Sequence, residues 1–87
     1  MKKREPVLIY MEILASLFSS PKGPTRLAQA VNVNYGRIEN FILPLLERGL
    51  IRKEEADGQE VFIVTDEGYG VYRDWLEIWR RLPLGVT

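Results

Sequence analysis

One stretch of this chain, Pro24 to Leu50, contains a short helix, a tight turn and a second helix: PTRLAQAVNVNYGRIENFILPLLERGL. Leu27, Ala28 and Val31 form the inward side of the first helix. In the second, Ile38, Phe41, Ile42, Leu45 and Leu46 follow the i, i+3, i+4, i+7, i+8 spacing of one buried stripe. Val31-Asn32-Val33 supplies the turn, because Asn tolerates the left-handed backbone that such turns need. Asn34 is placed to cap the second helix, with Val33 and Ile38 as a hydrophobic staple across the cap, and Gly49 is a natural stop. Thr25 is the expected cap of the first helix. Two helices joined in this way are the usual device for presenting one helix face to a DNA groove. Pro44 removes a backbone hydrogen bond inside the second helix, so the sequence allows either a bent helix or two pieces.

The flanking segments complete the fold class. Leu50-Ile51-Arg52-Lys53-Glu54-Glu55 and Glu60-Val61-Phe62-Ile63-Val64 flank Ala56-Asp57-Gly58-Gln59, and Asp-Gly between β-prone runs signals a hairpin. Thr65 caps a last helix that runs to about Leu82 and stops before Pro83, with Asp66 and Glu67 at its positive end. Upstream, a helix starts at Pro6, runs to about Ser19 and is broken by Ser20-Pro21-Lys22-Gly23-Pro24. The expected architecture is mainly α with a small β-hairpin, a winged helix-turn-helix in the order α1-α2-α3-β-β-α4. It reads as a single domain over residues 1–87, with the helix-turn-helix at 24–50, the wing hairpin at 50–64 and a C-terminal helix at 65–82.

Composition narrows the chemistry. The chain holds no Cys and no His among its 87 residues, so disulfides, thiolate ligands, Cys nucleophiles and the commonest general base are excluded. Neither a nucleotide-binding loop nor a nucleophile motif is present. Glu54, Glu55 and Asp57 on an exposed hairpin read as a solvated tip, not a metal site. The expectation is a protein that is not an enzyme and carries no cofactor, metal or catalytic residue. No apolar run is long enough to span a bilayer, which takes about 20 residues. The N-terminus superficially resembles a signal peptide, but Glu5, Pro6 and Glu12 interrupt its apolar region. It is read as a helix of a cytoplasmic protein.

Charge complicates the DNA reading. Twelve basic residues balance twelve acidic ones, whereas DNA-binding domains usually carry a basic excess. The distribution is uneven. Lys2, Lys3, Arg4, Lys22 and Arg26 face only Glu5 and Glu12 within residues 1–34. At the hairpin, Arg52 and Lys53 meet Glu54, Glu55, Asp57 and Glu60.

Candidate DNA contacts are Asn34, Tyr35, Arg37 and Asn40 on the outer face of the second helix of the motif, where Arg can read guanine and Asn adenine. Thr25 and Arg26, with Lys22 nearby, sit where a phosphate is commonly clamped. Asn34 serves mainly as a cap, and Tyr35 has a packing alternative against the preceding helix. Lys2, Lys3 and Arg4 form either an arm along the backbone or a solubilising terminus. Arg52 and Lys53 are the wing's candidates for phosphate, although its acidic tip is expected to stand off DNA.

The first and last helices are more apolar than one small core can use. Val7, Leu8, Ile9, Tyr10, Met11, Ile13, Leu14, Leu17 and Phe18 nearly encircle the first. Tyr72, Trp75, Trp79 and Leu82 form a coiled-coil-like seam on the last. A homodimer joined through these helices, with Tyr10, Tyr72, Trp75, Trp79 and Leu82 at its centre, is the economical reading. The alternative is that the last helix folds back over the first within one chain.

The motifs Thr25-Arg26-Leu27-Ala28, Asn32-x-Asn34-Tyr35, Leu45 to Ile51 and Val64-Thr65-Asp66-Glu67-Gly68 resemble those of archaeal winged-helix regulators. Small archaeal chromatin-associated DNA-binding proteins that dimerise through a C-terminal helix are the nearest type, and the resemblance covers about residues 6–82. It implies a dimeric protein that binds double-stranded DNA, as a transcription regulator or an architectural factor, with helix 3 in the major groove. In those proteins the C-terminal helix is long and forms an antiparallel coiled coil; here it ends near Leu82, so a coiled coil would be short. The second reading, favoured by neutral charge and the acidic wing, is a winged helix that contacts a protein partner within a transcription or repair assembly.

Overall fold

The computed structural model describes residues 5–82, so Lys2, Lys3, Arg4 and Pro83 lie outside the described residues. The elements come in the expected order: α1 (Pro6–Ser19), α2 (Pro24–Ala30), α3 (Tyr35–Glu47), β1 (Ile51–Ala56), β2 (Gln59–Val64) and α4 (Asp66–Arg81).

Local chemistry sets the helix ends. Asn34 is the N-cap of α3, its Oδ1 accepting from the Gly36 N–H at 2.7 Å. Helices α2 and α3 close with the same paired bonds around one left-handed residue. At Asn32 (φ 57°), the Asn32 N–H reaches the Gln29 carbonyl at 3.2 Å and the Val33 N–H the Ala28 carbonyl at 2.9 Å. At Gly49 (φ 71°), the Gly49 N–H reaches Leu46 at 3.0 Å and the Leu50 N–H reaches Leu45 at 2.9 Å. Such pairs satisfy the carbonyls that a helix end orphans. Helix α3 passes through Pro44 as one helix. The Pro44 carbonyl accepts from the Arg48 backbone N–H at 3.2 Å and from its guanidinium at 3.4 Å.

Thr25 is not the cap of α2. Gly23 holds that position and Pro24 is the first helical residue, which moves the helix start ahead of Thr25 and leaves its side chain exposed. The physical reason is the fixed φ of proline, which favours the first helical position, where its missing N–H costs nothing.

Strands β1 and β2 pair antiparallel from Ile51↔Val64 to Ala56↔Gln59, joined by Asp57 (φ 54°) and Gly58 (φ 78°). Two successive positive φ values mark the type I′ turn whose twist suits a two-residue hairpin. The connection between α1 and α2 joins the hairpin through a bridge that the sequence reading missed. The Lys22 N–H donates to the Phe62 carbonyl at 3.3 Å, and the Phe62 N–H to the Lys22 carbonyl at 2.8 Å.

The core gathers one face of each helix around Ile13, Leu14, Leu27, Ile38 and Ile42, with Ile51 and Phe62 from the hairpin. Val33 and Ile38, the staple pair, are both buried. Burying side chains of this size contributes about 1.5–3 kcal/mol each.

Helix α4 joins this body differently. The Thr65 N–H donates to the Leu50 carbonyl at 3.1 Å, and the Thr65 hydroxyl to the Gly49 carbonyl at 2.6 Å while accepting from the Gly68 N–H at 3.0 Å. A Cβ at Gly68 would run into the Leu50 carbonyl oxygen, so this glycine permits a backbone-to-backbone approach. Phe18 of α1 stacks on Tyr69 with ring centroids 5.1 Å apart. Of the 16 residues in α4, only Gly68 is fully buried.

Candidate nucleic-acid interface

The α3 stripe of Ile38, Phe41, Ile42 and Leu45 is buried, which turns Tyr35, Arg37 and Asn40 to solvent in the first half of the helix. Tyr35 is 62% exposed, so it does not use its packing alternative against α2. Thr25 and Arg26 are exposed in the first turn of α2. The two helix starts adjoin, since Pro24, Tyr35 and Gly36 line one cleft. The structure therefore brings Thr25, Arg26, Tyr35, Arg37 and Asn40 into one region, with Asn34 at its base as a cap.

The cations of residues 22–53 are not equally available. Lys22 turns its ammonium onto the C-terminal end of α1, donating to the Ser16 carbonyl at 2.7 Å, the Ser20 carbonyl at 3.2 Å and the Ser20 hydroxyl at 3.1 Å. Arg48 turns back onto Pro44. On the wing, Arg52 places Nε and a terminal nitrogen at 3.1 and 3.0 Å from one Glu54 oxygen. Lys53 lies 3.9 Å from Glu60, its diagonal neighbour across the strands. Among the described residues, no ion pair holds Arg26 or Arg37, and Arg37 lies 6.0 Å above the Phe41 ring.

Acidic and apolar groups share the α3 surface. Glu39 and Glu47 are exposed, and Leu43 is 50% exposed. Glu39, Leu43 and Leu46 line the cleft of about 210 Å³ that opens toward Lys53, Glu60 and Phe62 of the wing. The sequence reading passed over Leu43, although its place off the i, i+3, i+4 stripe was a usable signal.

The residues expected at a dimer contact divide. Tyr10 is half-buried with its ring edge-on to Phe41 at 5.5 Å, and Tyr72 is half-buried against the core. Trp75 is half-buried and lies 5.5 Å from the Trp79 ring. Trp79 is 40% exposed and Leu82 48% exposed. Helix α4 does pack on α1 within the chain, yet Val71, Leu76 and Ile78 also remain exposed.

Residues 3–81 match the model of the winged helix-turn-helix family. The chain belongs to this family. Among solved structures, the winged-helix chain is similar to the transcriptional regulator BldR from Sulfolobus solfataricus, with a TM-score of 0.77 and 21% identity over 85% of this chain and 55% of that one. It is also similar to the transcriptional regulator PcaV from Streptomyces coelicolor, with a TM-score of 0.73 and 23% identity over 83% and 57% of the two chains. Sso10a-2, a DNA-binding protein from Sulfolobus solfataricus, gives a TM-score of 0.70 and 17% identity over 90% and 84%. At these identities the likeness is one of fold. The chain spans a little over half the length of the BldR and PcaV chains. No curated protein matches it in sequence. No helix among the described residues is long and apolar enough to cross a membrane.

Proposed function

We propose that this winged helix-turn-helix protein binds double-stranded DNA as a homodimer, in the cytoplasm and without catalysis, as a transcription regulator or an architectural factor. Helix α3 docks in the major groove, while the start of α2 clamps the phosphate backbone. The observation that carries this reading is the state of the cations. Of the six between residues 22 and 53, four are engaged by carbonyls or carboxylates of the same chain, and the two without such partners, Arg26 and Arg37, lie on the exposed side of α2 and α3. Arg26 supplies sequence-independent attraction, and Arg37 with Asn40 and Tyr35 meets base edges. The similarity to proteins described as transcriptional regulators and as a DNA-binding protein supports the same reading.

Titrating the chain with random and genomic duplex DNA across a salt series tests it. Affinity should fall linearly with the logarithm of salt concentration; no binding at low salt would overturn the proposal. The homodimer is argued from exposed Ile78, Trp79 and Leu82, and Trp79→Glu should dissociate it. Sedimentation of the unaltered chain as a clean monomer at micromolar concentration contradicts that part.

A second reading has its own support. The α3–wing cleft has apolar walls at Leu43, Leu46 and Phe62 and carboxylates at Glu39 and Glu60, a surface suited to a protein partner bearing apolar and basic side chains. It takes over if DNA binding is absent.

A further inference from the structure

An apolar groove of about 440 Å³ lies on a different side of α3, between the start of α1 and the corner that follows α3. Val7, Tyr10 and Met11 form one wall, Pro44, Leu45 and Leu50 the other, and Glu47 and Arg48 stand at the rim. Both walls belong to helices whose inner faces form the core, so the groove is held open by rigid elements. Arg48 directs its guanidinium to the Pro44 carbonyl, which leaves the Glu47 carboxylate as the unengaged charge beside the opening.

The end of α4 carries the complementary chemistry. Trp79 and Leu82 are three residues apart on one face and both exposed, and Arg80 and Arg81 make the last turn basic. A tryptophan entering an apolar pocket, with charge pairing at the edge, is the common form of an interface anchor. Each copy owns one such helix end and one such groove. Two copies related by a twofold axis therefore satisfy both surfaces at once, in a closed arrangement.

Resting on the dimer reading above, we infer that the groove between α1 and α3 of one copy receives the α4 C-terminal turn of a second copy. Trp79 is the anchor, Leu82 covers the apolar wall, and Arg80 and Arg81 lie beside Glu47. This contact ties dimer formation to α3 itself, because Pro44, Leu45 and Glu47 belong to the helix proposed to enter DNA.

The absence of cysteine makes the test clean. Glu47→Cys and Arg81→Cys are single changes at exposed positions, and circular dichroism checks that both variants keep the fold. Mixed in equal amounts and treated with a short bismaleimide, they should give the mixed crosslinked pair in several-fold excess over either self-linked pair. Sedimentation is run on the same samples before the reagent is added. A sedimenting dimer with only Arg81→Cys self-links, or with no links, would place the contact elsewhere on α4 and overturn the groove while leaving the homodimer standing. A monomer would overturn both.

Discussion

The wing and the heads of α2 and α3 both carry a pair of cations, but only one pair is available. Arg52 and Lys53 on the wing are held by Glu54 and Glu60. Exposed pairs of this kind contribute little stability, with a median of about 0–1 kcal/mol; their larger consequence is that the wing presents little net positive charge. Arg26 and Arg37 have no ion-pair partner among the described residues. A chain of zero net charge can therefore still offer a local cationic surface, provided its carboxylates lie elsewhere. Position decides what the overall balance conceals.

The largest expected effect breaks the joint that holds the two regions together. Gly68 lets α4 approach the Leu50 carbonyl just after the wing, so Gly68→Ala forces the two backbones apart. Overpacking of this kind costs about 3 kcal/mol, and a melting temperature lowered by at least ~10 °C should follow. An unchanged melting curve would show that the approach is not needed. A smaller effect sharpens the contrast from the helix side. Arg37→Ala should weaken binding to a preferred site by about 1–3 kcal/mol and to random DNA by less, as measured by competition titration. Equal losses on both would assign Arg37 to phosphate. The smallest effect belongs to the wing: replacing Glu54 and Glu55 together with Gln should leave DNA affinity unchanged or slightly raised. A marked loss with the fold intact would show that the wing's carboxylates support binding.

Features fixed by neighbours in sequence were legible before the structure. Asn32 in the left-handed turn, the Asn34 and Thr65 caps, the Gly49 stop and the Asp57-Gly58 turn each depend on a few adjacent residues. Thr25 was misread as a cap because two local preferences compete there, and Pro24 at the first helical position prevailed. What depended on distant partners was hidden. The fate of the Lys22 ammonium follows from a turn back onto α1, and its backbone pairs with Phe62, which lies forty residues away in sequence. The Lys53–Glu60 pair needs the strand register, and the purpose of Gly68 needs the position of Leu50. On the candidate surface, the outward direction of Arg37 and Asn40 followed from the buried stripe, whereas the engagement of Lys22, Arg52 and Lys53 did not.

The central claim is that the two helix-borne arginines, not the wing, supply the chain's hold on DNA. Salt-dependent binding of the unaltered protein, compared with the double variant Arg26→Ala/Arg37→Ala on the same duplex, tests it most directly. The account predicts weaker binding throughout and a salt slope shallower by about two units, close to one for each lost phosphate-directed charge, or by about one if Arg37 meets only a base. A double variant that matches the parent in both affinity and slope would contradict it.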